Sequence, residues 1–124
     1  LFRSILLLQR SLDSRREAGK WTFPAGGVDG VDLDLESAII REVREEVGIE
    51  IKNLKFITAT NDIAKNKKTH YITIFMQAEY ASGEITLCEP DKCAGWELYS
   101  WDNLPKPLFL SIDNLIKYGF EPAF

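Results

Sequence analysis

The run Arg41-Glu42-Val43-Arg44-Glu45-Glu46-Val47-Gly48-Ile49 carries the clearest chemical potential in this chain, because it strings three carboxylates over five positions. On a helix, residues three and four apart are neighbours, so Glu42 sits beside Glu45 and Glu46 on one surface. Like charges at that spacing cost a helix about 0.2–0.5 kcal/mol per pair. Arg41 and Arg44 offset part of the repulsion. A divalent cation reverses its sign, since Mg²⁺ and Mn²⁺ prefer hard oxygen ligands. Such a cation opens a route to phosphoanhydride hydrolysis: it shields phosphate oxygens and lowers the pKa of a bound water. The competing reading is a solvated acidic helix face, an ordinary outcome of surface charge patterning.

The elements around the run must position these acids. Upstream, Trp21-Thr22-Phe23-Pro24-Ala25-Gly26-Gly27 joins a short apolar strand to a Gly pair, which lets backbone approach a ligand closely. Ile40, Val43 and Val47 recur at helical spacing, with Ile39 at the edge of the stripe and Gly48 as the C-terminal stop. That stripe lies away from the acids, so one face buries while the other holds metal. Asp34 reads as the N-cap, with Asp32 as the competing choice.

Ser4 to Gln9 reads as a strand and Ser11 to Lys20 as a polar loop containing Arg15, Arg16 and Lys20. Leu54 to Asn61 and His70 to Tyr80 read as strands separated by the basic stretch Lys65 to Lys68, and Ala94 to Ser100 as another. Ile112, Leu115 and Ile116 predict a second helix over Ser111 to Tyr118, capped by Ser111 and stopped near Gly119. Strands with two helices packed on them give an α/β sandwich. Its 124 residues suit one domain, residues 1–124.

Composition narrows the function classes. Apolar residues at 45% and charged residues at 27% are those of a globular domain. No apolar run approaches the roughly 20 residues that cross a bilayer. A net charge of −4 argues against a nucleic-acid polymer as the main partner. Cys88 and Cys93 lack zinc-ligand spacing and fit a reducing cytoplasm. His70, alone in a strand, reads as structural, and Trp96 and Trp101 as core and sheet-packing residues.

With these residues in view, the chain resembles the Nudix hydrolases, whose box runs Gly, five residues, Glu, seven residues, Arg-Glu, aliphatic, any residue, Glu-Glu, any residue, Gly, aliphatic. Arg41 to Ile49 matches every defined position of its second half. The first half departs: counting back from Arg41 puts Leu33 where the family has Glu, and counting forward from Gly26 puts Asp32 there with one extra residue before Arg41. Thr69-His70-Tyr71-Ile72-Thr73-Ile74, Glu89-Pro90-Asp91-Lys92-Cys93-Ala94-Gly95-Trp96-Glu97 and Trp101 to Phe109 look like the family's MutT-like nucleoside triphosphate diphosphatase branch. The likeness covers about Ser4 to Phe120. It implies an α/β/α sandwich with a mixed sheet. The chain opens at Leu1-Phe2-Arg3, near where the family places its second strand, so the first strand is expected to be lost, trimmed or never present.

The resemblance also implies roles. Glu42, Glu45 and Glu46, with Glu89 from the later loop, would bind Mg²⁺ or Mn²⁺, and one of them would orient or deprotonate the attacking water. Arg41 would fix the rotamer of a box acid. Arg10 would face phosphates along the Gly26-Gly27 loop. Phe23, Thr73, Phe109 and Leu110, with Ser111 and Ile112, would lie around the base. A relative in the branch has an aromatic ring where this chain has Leu110, so purine preference does not transfer. The implied function is metal-dependent hydrolysis of a nucleoside triphosphate, modified or deoxy forms included, to the monophosphate and pyrophosphate. The alternatives are a pyrophosphatase of nucleotide sugars or dinucleoside compounds, and a non-catalytic module that binds a nucleotide or a protein. Homodimers are common in the branch, so the resemblance allows a homodimer.

Overall fold

In the computed structural model, which describes residues 4–30 and 32–122, the apolar run Ile5–Leu8 lies within strand β1 (Ser4–Arg10). Successive strand side chains point to opposite faces. Leu7 and Leu8 are nonetheless both buried, at 0% and 1% exposure, so both faces of β1 are covered. β2 (Trp21–Thr22) pairs antiparallel with β1 through Leu8 and Gln9. Helix α1 (Leu35–Val47) covers one face: Leu8 packs with Val43 and Val47, and with Ile49 just beyond the helix. β3 (Glu50–Ile63) and β4 (His70–Ser82) form a long antiparallel ribbon. β5 (Cys93–Ser100) lies antiparallel along the other edge of β1, giving the order β2-β1-β5. Helix α2 (Leu110–Lys117) covers the second face, where Leu7 packs with Leu108 and Ile112.

The α/β sandwich expected from the sequence is therefore present. Its strands pair antiparallel in two sheets, and the parallel element of the expected mixed sheet is a single bridge between Trp21 and Leu108. The expectation of a lost or trimmed first strand concerns the chain before Ser4, outside the described residues.

Local signals explain the helix ends. Asp34 is the N-cap of α1: its Oδ1 accepts the Ser37 N–H at 2.7 Å, satisfying a free donor of the first turn. Gly48 ends α1 at φ 72°, the left-handed conformation that glycine adopts without a Cβ penalty, and donates its N–H to the Arg44 carbonyl at 3.0 Å. The buried stripe differs from the reading by period: Ala38, Val43 and Val47 are buried and Ile39 joins their cluster, while Ile40 is only half-buried.

The cap of α2 is a correction. Ser111 is buried within the helix, and the N-cap position belongs to Phe109, whose side chain makes no capping bond. Glu17 takes over that task from the distant Ser11–Lys20 loop, its Oε1 accepting the Leu110 N–H at 2.6 Å. A second correction concerns Trp96, which sits on β5 opposite Leu8 yet is 40% exposed. Trp101 does pack, edge-on against Phe120 with ring centroids 5.7 Å apart.

Candidate active site

Arg41 is the hub of the acidic helix. Its Nε donates to Asp32 Oδ1 and its Nη2 to Asp32 Oδ2, both at 2.9 Å. Nη1 donates to Glu42 Oε1 at 3.0 Å and Glu45 Oε2 at 3.1 Å, and Nη2 also reaches the Gly27 carbonyl at 3.1 Å. A rigid guanidinium fork matches a carboxylate in this bidentate manner. The hydrogen bond from Arg41 holds the Asp32 carboxyl below the usual carboxylate range, with help from the Asp29 N–H. Leu33, the other candidate for the box acid, is 93% exposed and points to solvent. Asp32 thus stands where the box acid would pair with Arg41, on a loop that carries one extra residue.

The three helix acids do not share one flat surface. Glu42 and Glu46 are half-buried beside the apolar stripe and face the Gly loop, whereas Glu45 is exposed with Arg41. Gly26 lies directly on Glu42: a Cβ at that position would overlap the Glu42 carboxylate, while one at Gly27 would meet nothing. Glu46 Oε1 accepts the Ala25 N–H at 3.1 Å. Burial pushes the Glu46 carboxyl up to about 8; the negative charges of Glu42 and Glu89 add to the rise, and the Ala25 N–H and Lys92 oppose it. Glu89 pairs with Lys92 Nζ at 3.1 Å. Glu42 and Glu89 are therefore both close enough to act on Glu46, and Glu42 and Glu45 share Arg41 Nη1.

Hard oxygen donors crowded until one carboxyl prefers its proton are a donor set that suits Mg²⁺ or Mn²⁺. In their present rotamers the described residues place no three His, Cys, Asp or Glu side chains around a common point. The fit to a divalent ion is one of ligand chemistry and neighbourhood.

A broad open cleft connects Glu42 to the other expected substrate residues. Arg10, Phe23, Gly26, Gly27, Thr73, Phe109 and Leu110 all line it, with Glu42. Its volume of about 2200 Å³ exceeds the roughly 300–1,000 Å³ of a fitted small-molecule pocket, so it is a trough rather than a mould. Arg10 lies over the Phe109 ring, 5.2 Å from its centroid, and its Nε donates to the Arg16 carbonyl at 3.0 Å. Arg16 stacks over Tyr71 at 4.2 Å and stands 5.8 Å from Phe109. Phe23 packs edge-on against Phe75 at 6.0 Å. Leu110 opens α2 with its N–H fixed by Glu17. His70 is exposed and bonds Asn61, as a structural residue would.

Sequence reading missed Glu17, Tyr71 and Asp62 as cleft residues. Asp62 lies one residue beyond the strand read from the sequence as Leu54 to Asn61; the structure runs that strand from Glu50 to Ile63 and buries Thr60 and Asp62 on one face.

An α/β/α sandwich that lays a Gly-Gly loop over an Arg-Glu and Glu-Glu helix defines a Nudix-type hydrolase domain. The comparisons with known proteins agree: the NUDIX domain matches residues 2–118, and the chain belongs to that family. It is 42% identical over 104 residues to the NAD-capped RNA hydrolase NudC of Citrobacter koseri, covering 82% of this chain and 36% of that protein. The enzyme of the same name from Escherichia coli O1:K1 is 40% identical over 102 residues, with the same coverage. The chain thus spans about a third of the length of these relatives. The MutT NUDIX hydrolase of Burkholderia pseudomallei superposes with a TM-score of 0.82 at 30% identity, covering 94% of this chain and 88% of that one. The NUDIX domain of Shewanella oneidensis NrtR, solved with ADP ribose, shares the fold at a TM-score of 0.74 and 19% identity, covering 94% of this chain and 75% of that one. Among the described residues no helix is long and apolar enough to cross a membrane.

Proposed function

We propose that this domain hydrolyses a nucleoside triphosphate to the monophosphate and pyrophosphate, using Mg²⁺ or Mn²⁺. The observation that carries this reading is one cleft that joins the Glu42 carboxylate under Gly26 to the Arg10, Arg16 and Phe109 cluster. Candidate anion-binding and base-binding groups then lie on one path from Glu42. The structural likeness to a MutT hydrolase along nearly the whole of both chains supports a compact nucleotide substrate.

In this reading Glu42, Glu45, Glu46 and Glu89 hold the ion, which when bound shields phosphate oxygens and acidifies a water. Arg41 fixes the rotamers of Glu42 and Glu45 and anchors the loop through Asp32 and Gly27. The water oxygen bonds to phosphorus, the phosphoanhydride oxygen leaves with pyrophosphate, and the water proton passes to one of the four glutamates. Arg10 meets phosphates, and Phe23, Thr73, Phe109 and Leu110 surround the base. The free thiols Cys88 and Cys93 support a cytoplasmic address.

A second reading has a specific support: the relatives named NAD-capped RNA hydrolase are 40–42% identical to this chain, and the trough is roomy. It is cleavage of a dinucleoside pyrophosphate linkage, with an RNA-attached nucleotide as one form of substrate. Phosphate and pyrophosphate release from nucleoside triphosphates, nucleotide sugars and dinucleoside pyrophosphates, with and without metal, separates the readings. Metal-dependent pyrophosphate from triphosphates supports the first. Turnover confined to dinucleoside compounds supports the second, and nucleotide binding without turnover would leave a binding module.

A further inference from the structure

Glu17 stands in a backbone conformation that few side chains adopt, at φ 50° in the loop of residues 11–20, and its side chain is only 14% exposed. Its Oε1 accepts the Leu110 N–H at 2.6 Å and the Lys20 ammonium at 3.3 Å, while its Oε2 lies 3.9 Å from Arg16 Nη2. Among the described residues no other hydrogen bond joins this loop to α2. A left-handed residue other than glycine persists where its surroundings over-determine it, and such residues gather at functional sites. Capping alone does not call for the arrangement. A Ser, Asp or Asn at position 109 would give the first turn of α2 a local acceptor, and Phe109 stands there instead.

The bond ties together two pieces of the cleft wall. Arg16, the neighbour of Glu17, lies 4.2 Å from the centroid of the Tyr71 ring and 5.8 Å from that of Phe109. Its carbonyl accepts Arg10 Nε at 3.0 Å, and Arg10 lies over the same Phe109 ring at 5.2 Å. Arg10, Arg16, Glu17, Tyr71, Phe109 and Leu110 all line the cleft. Phe109 donates its N–H to the Trp21 carbonyl at 2.9 Å, so its backbone is anchored to β2 while the next amide is anchored to the loop. Glu17 thus grips the residue after Phe109 and is itself the residue after Arg16. One carboxylate sets the separation of a guanidinium and an aromatic ring. An arginine on a loop that is already docked loses less conformational freedom when it meets an anionic ligand, which leaves more of the contact for affinity.

We propose that Glu17 is a positioning residue for nucleotide binding: by holding the Leu110 N–H it places Arg16 beside Phe109 and Tyr71, where Arg16 meets the ligand. This rests on the reading of the cleft as a nucleotide site. Two variants separate reach from charge. Glu17→Gln keeps an acceptor at the same length and loses the charge, whereas Glu17→Asp keeps the charge and is one methylene too short. The test is calorimetric binding of AMP and GMP to the full chain, to both variants, to Arg16→Ala and to the Glu17→Asp, Arg16→Ala double variant. Thermal unfolding, the NMR shift of the Leu110 amide proton, and steady-state pyrophosphate release from ATP and GTP with Mg²⁺ run in parallel. Glu17→Asp should move the Leu110 resonance and weaken binding by about fivefold or more, and Glu17→Gln should stay within about twofold of the wild type. KM should rise with the loss of affinity while kcat stays within about twofold, because Glu17 touches none of the groups around Arg41. Arg16→Ala should weaken binding to a similar degree, and adding Glu17→Asp to it should cost less than about twofold more. Glu17→Asp binding like the wild type although the Leu110 resonance has moved would leave Glu17 a helix cap and overturn the proposal. Fully additive losses in the double variant overturn it as well, since Glu17 would then act without Arg16. If Glu17→Asp fails to fold, Arg16→Ala decides: unchanged nucleotide affinity in that variant overturns the proposal, and a wild type that binds neither nucleotide does too. Ranked binding without pyrophosphate release would sink the hydrolysis reading and leave Glu17 in its role; pyrophosphate release with one KM across the Glu17 variants would do the reverse.

Discussion

Asp32 and Arg41 face each other through two parallel hydrogen bonds of 2.9 Å, carboxylate to guanidinium fork. The Asp32 side chain is 4% exposed, so the pair is shielded from solvent although it starts in a surface loop. The same guanidinium holds Glu42, Glu45 and the Gly27 carbonyl. One residue of the loop therefore fixes the register of the acidic helix against the Gly pair.

This pairing predicts unequal effects at adjacent positions. Asp32→Ala should lower metal-dependent turnover by at least about tenfold, since releasing Arg41 frees the rotamers of two candidate ligands. Leu33→Ala, at a side chain 93% exposed, should change turnover less than about twofold. Comparable losses in the two variants would count against Asp32 as the box acid. Arg41→Lys should resemble Asp32→Ala, because an ammonium cannot form the fork.

Much of this was legible in the chain. Ile5–Leu8, the Gly48 stop and the Asp34 cap are local signals, and each appears where the residues put it. The site was legible as residue types, and its grouping was not. Glu42 and Glu46 are half-buried at the Gly loop and Glu45 is exposed, although Glu42 and Glu45 share Arg41 Nη1, and a helical period encodes neither fact. Ser111 failed as a cap because it lies buried inside the first turn of α2, one residue past its start, and a carboxylate 93 residues away supplied the acceptor. Asp32 rather than Leu33 pairs with Arg41 in a loop where the Asp29 N–H turns back onto Asp32 at 2.7 Å and Leu33 is left exposed, a geometry that residue spacing alone does not encode.

The Gly pair should divide in the same asymmetric way. Gly26→Ala places a methyl group into the Glu42 carboxylate and must shift loop or acid, so turnover should fall by about tenfold or more. Gly27→Ala meets no neighbour within 4 Å and should keep most of the activity. Steady-state rates at saturating metal decide this, and an undamaged Gly26→Ala enzyme would show that the loop does not position Glu42.

Glu45 is exposed and its partner Arg41 has two other acids. Glu45→Gln should therefore leave the unfolding midpoint within about 2 °C, as for an exposed i,i+4 pair worth about 0.3–0.5 kcal/mol. Its Mg²⁺-dependent turnover should nonetheless disappear. Wild-type rates in a folded Glu45→Gln protein would remove Glu45 from the ion site and leave Glu42, Glu46 and Glu89 to hold it.

Glu46 gives the domain a pH signature of its own. Ala25 N–H, Glu42, Glu89 and Lys92 act on it, and burial dominates, with a folded-state value of about 8 against an ordinary 4.5. Between those values the metal-free folded protein keeps a proton that the unfolded chain has lost. Unfolding then releases a proton, and stability falls as pH rises from about 4.5 through 8, with a slope of at most about 1.4 kcal/mol per pH unit. The stabilisation is fully present below the unfolded value and gone above the folded one. Urea melts of the metal-free protein across that range should show the decline, and Glu46→Gln should flatten it because an amide does not titrate. Divalent metal should displace the proton, so Mn²⁺ titration near pH 7 in buffers of different ionisation enthalpy should report up to one proton released per site in the wild type and less in Glu46→Gln. A metal-free protein whose stability is flat between pH 5 and 8, with no proton release on metal binding, would show that Glu46 is ionised in the folded state and that solvent reaches it.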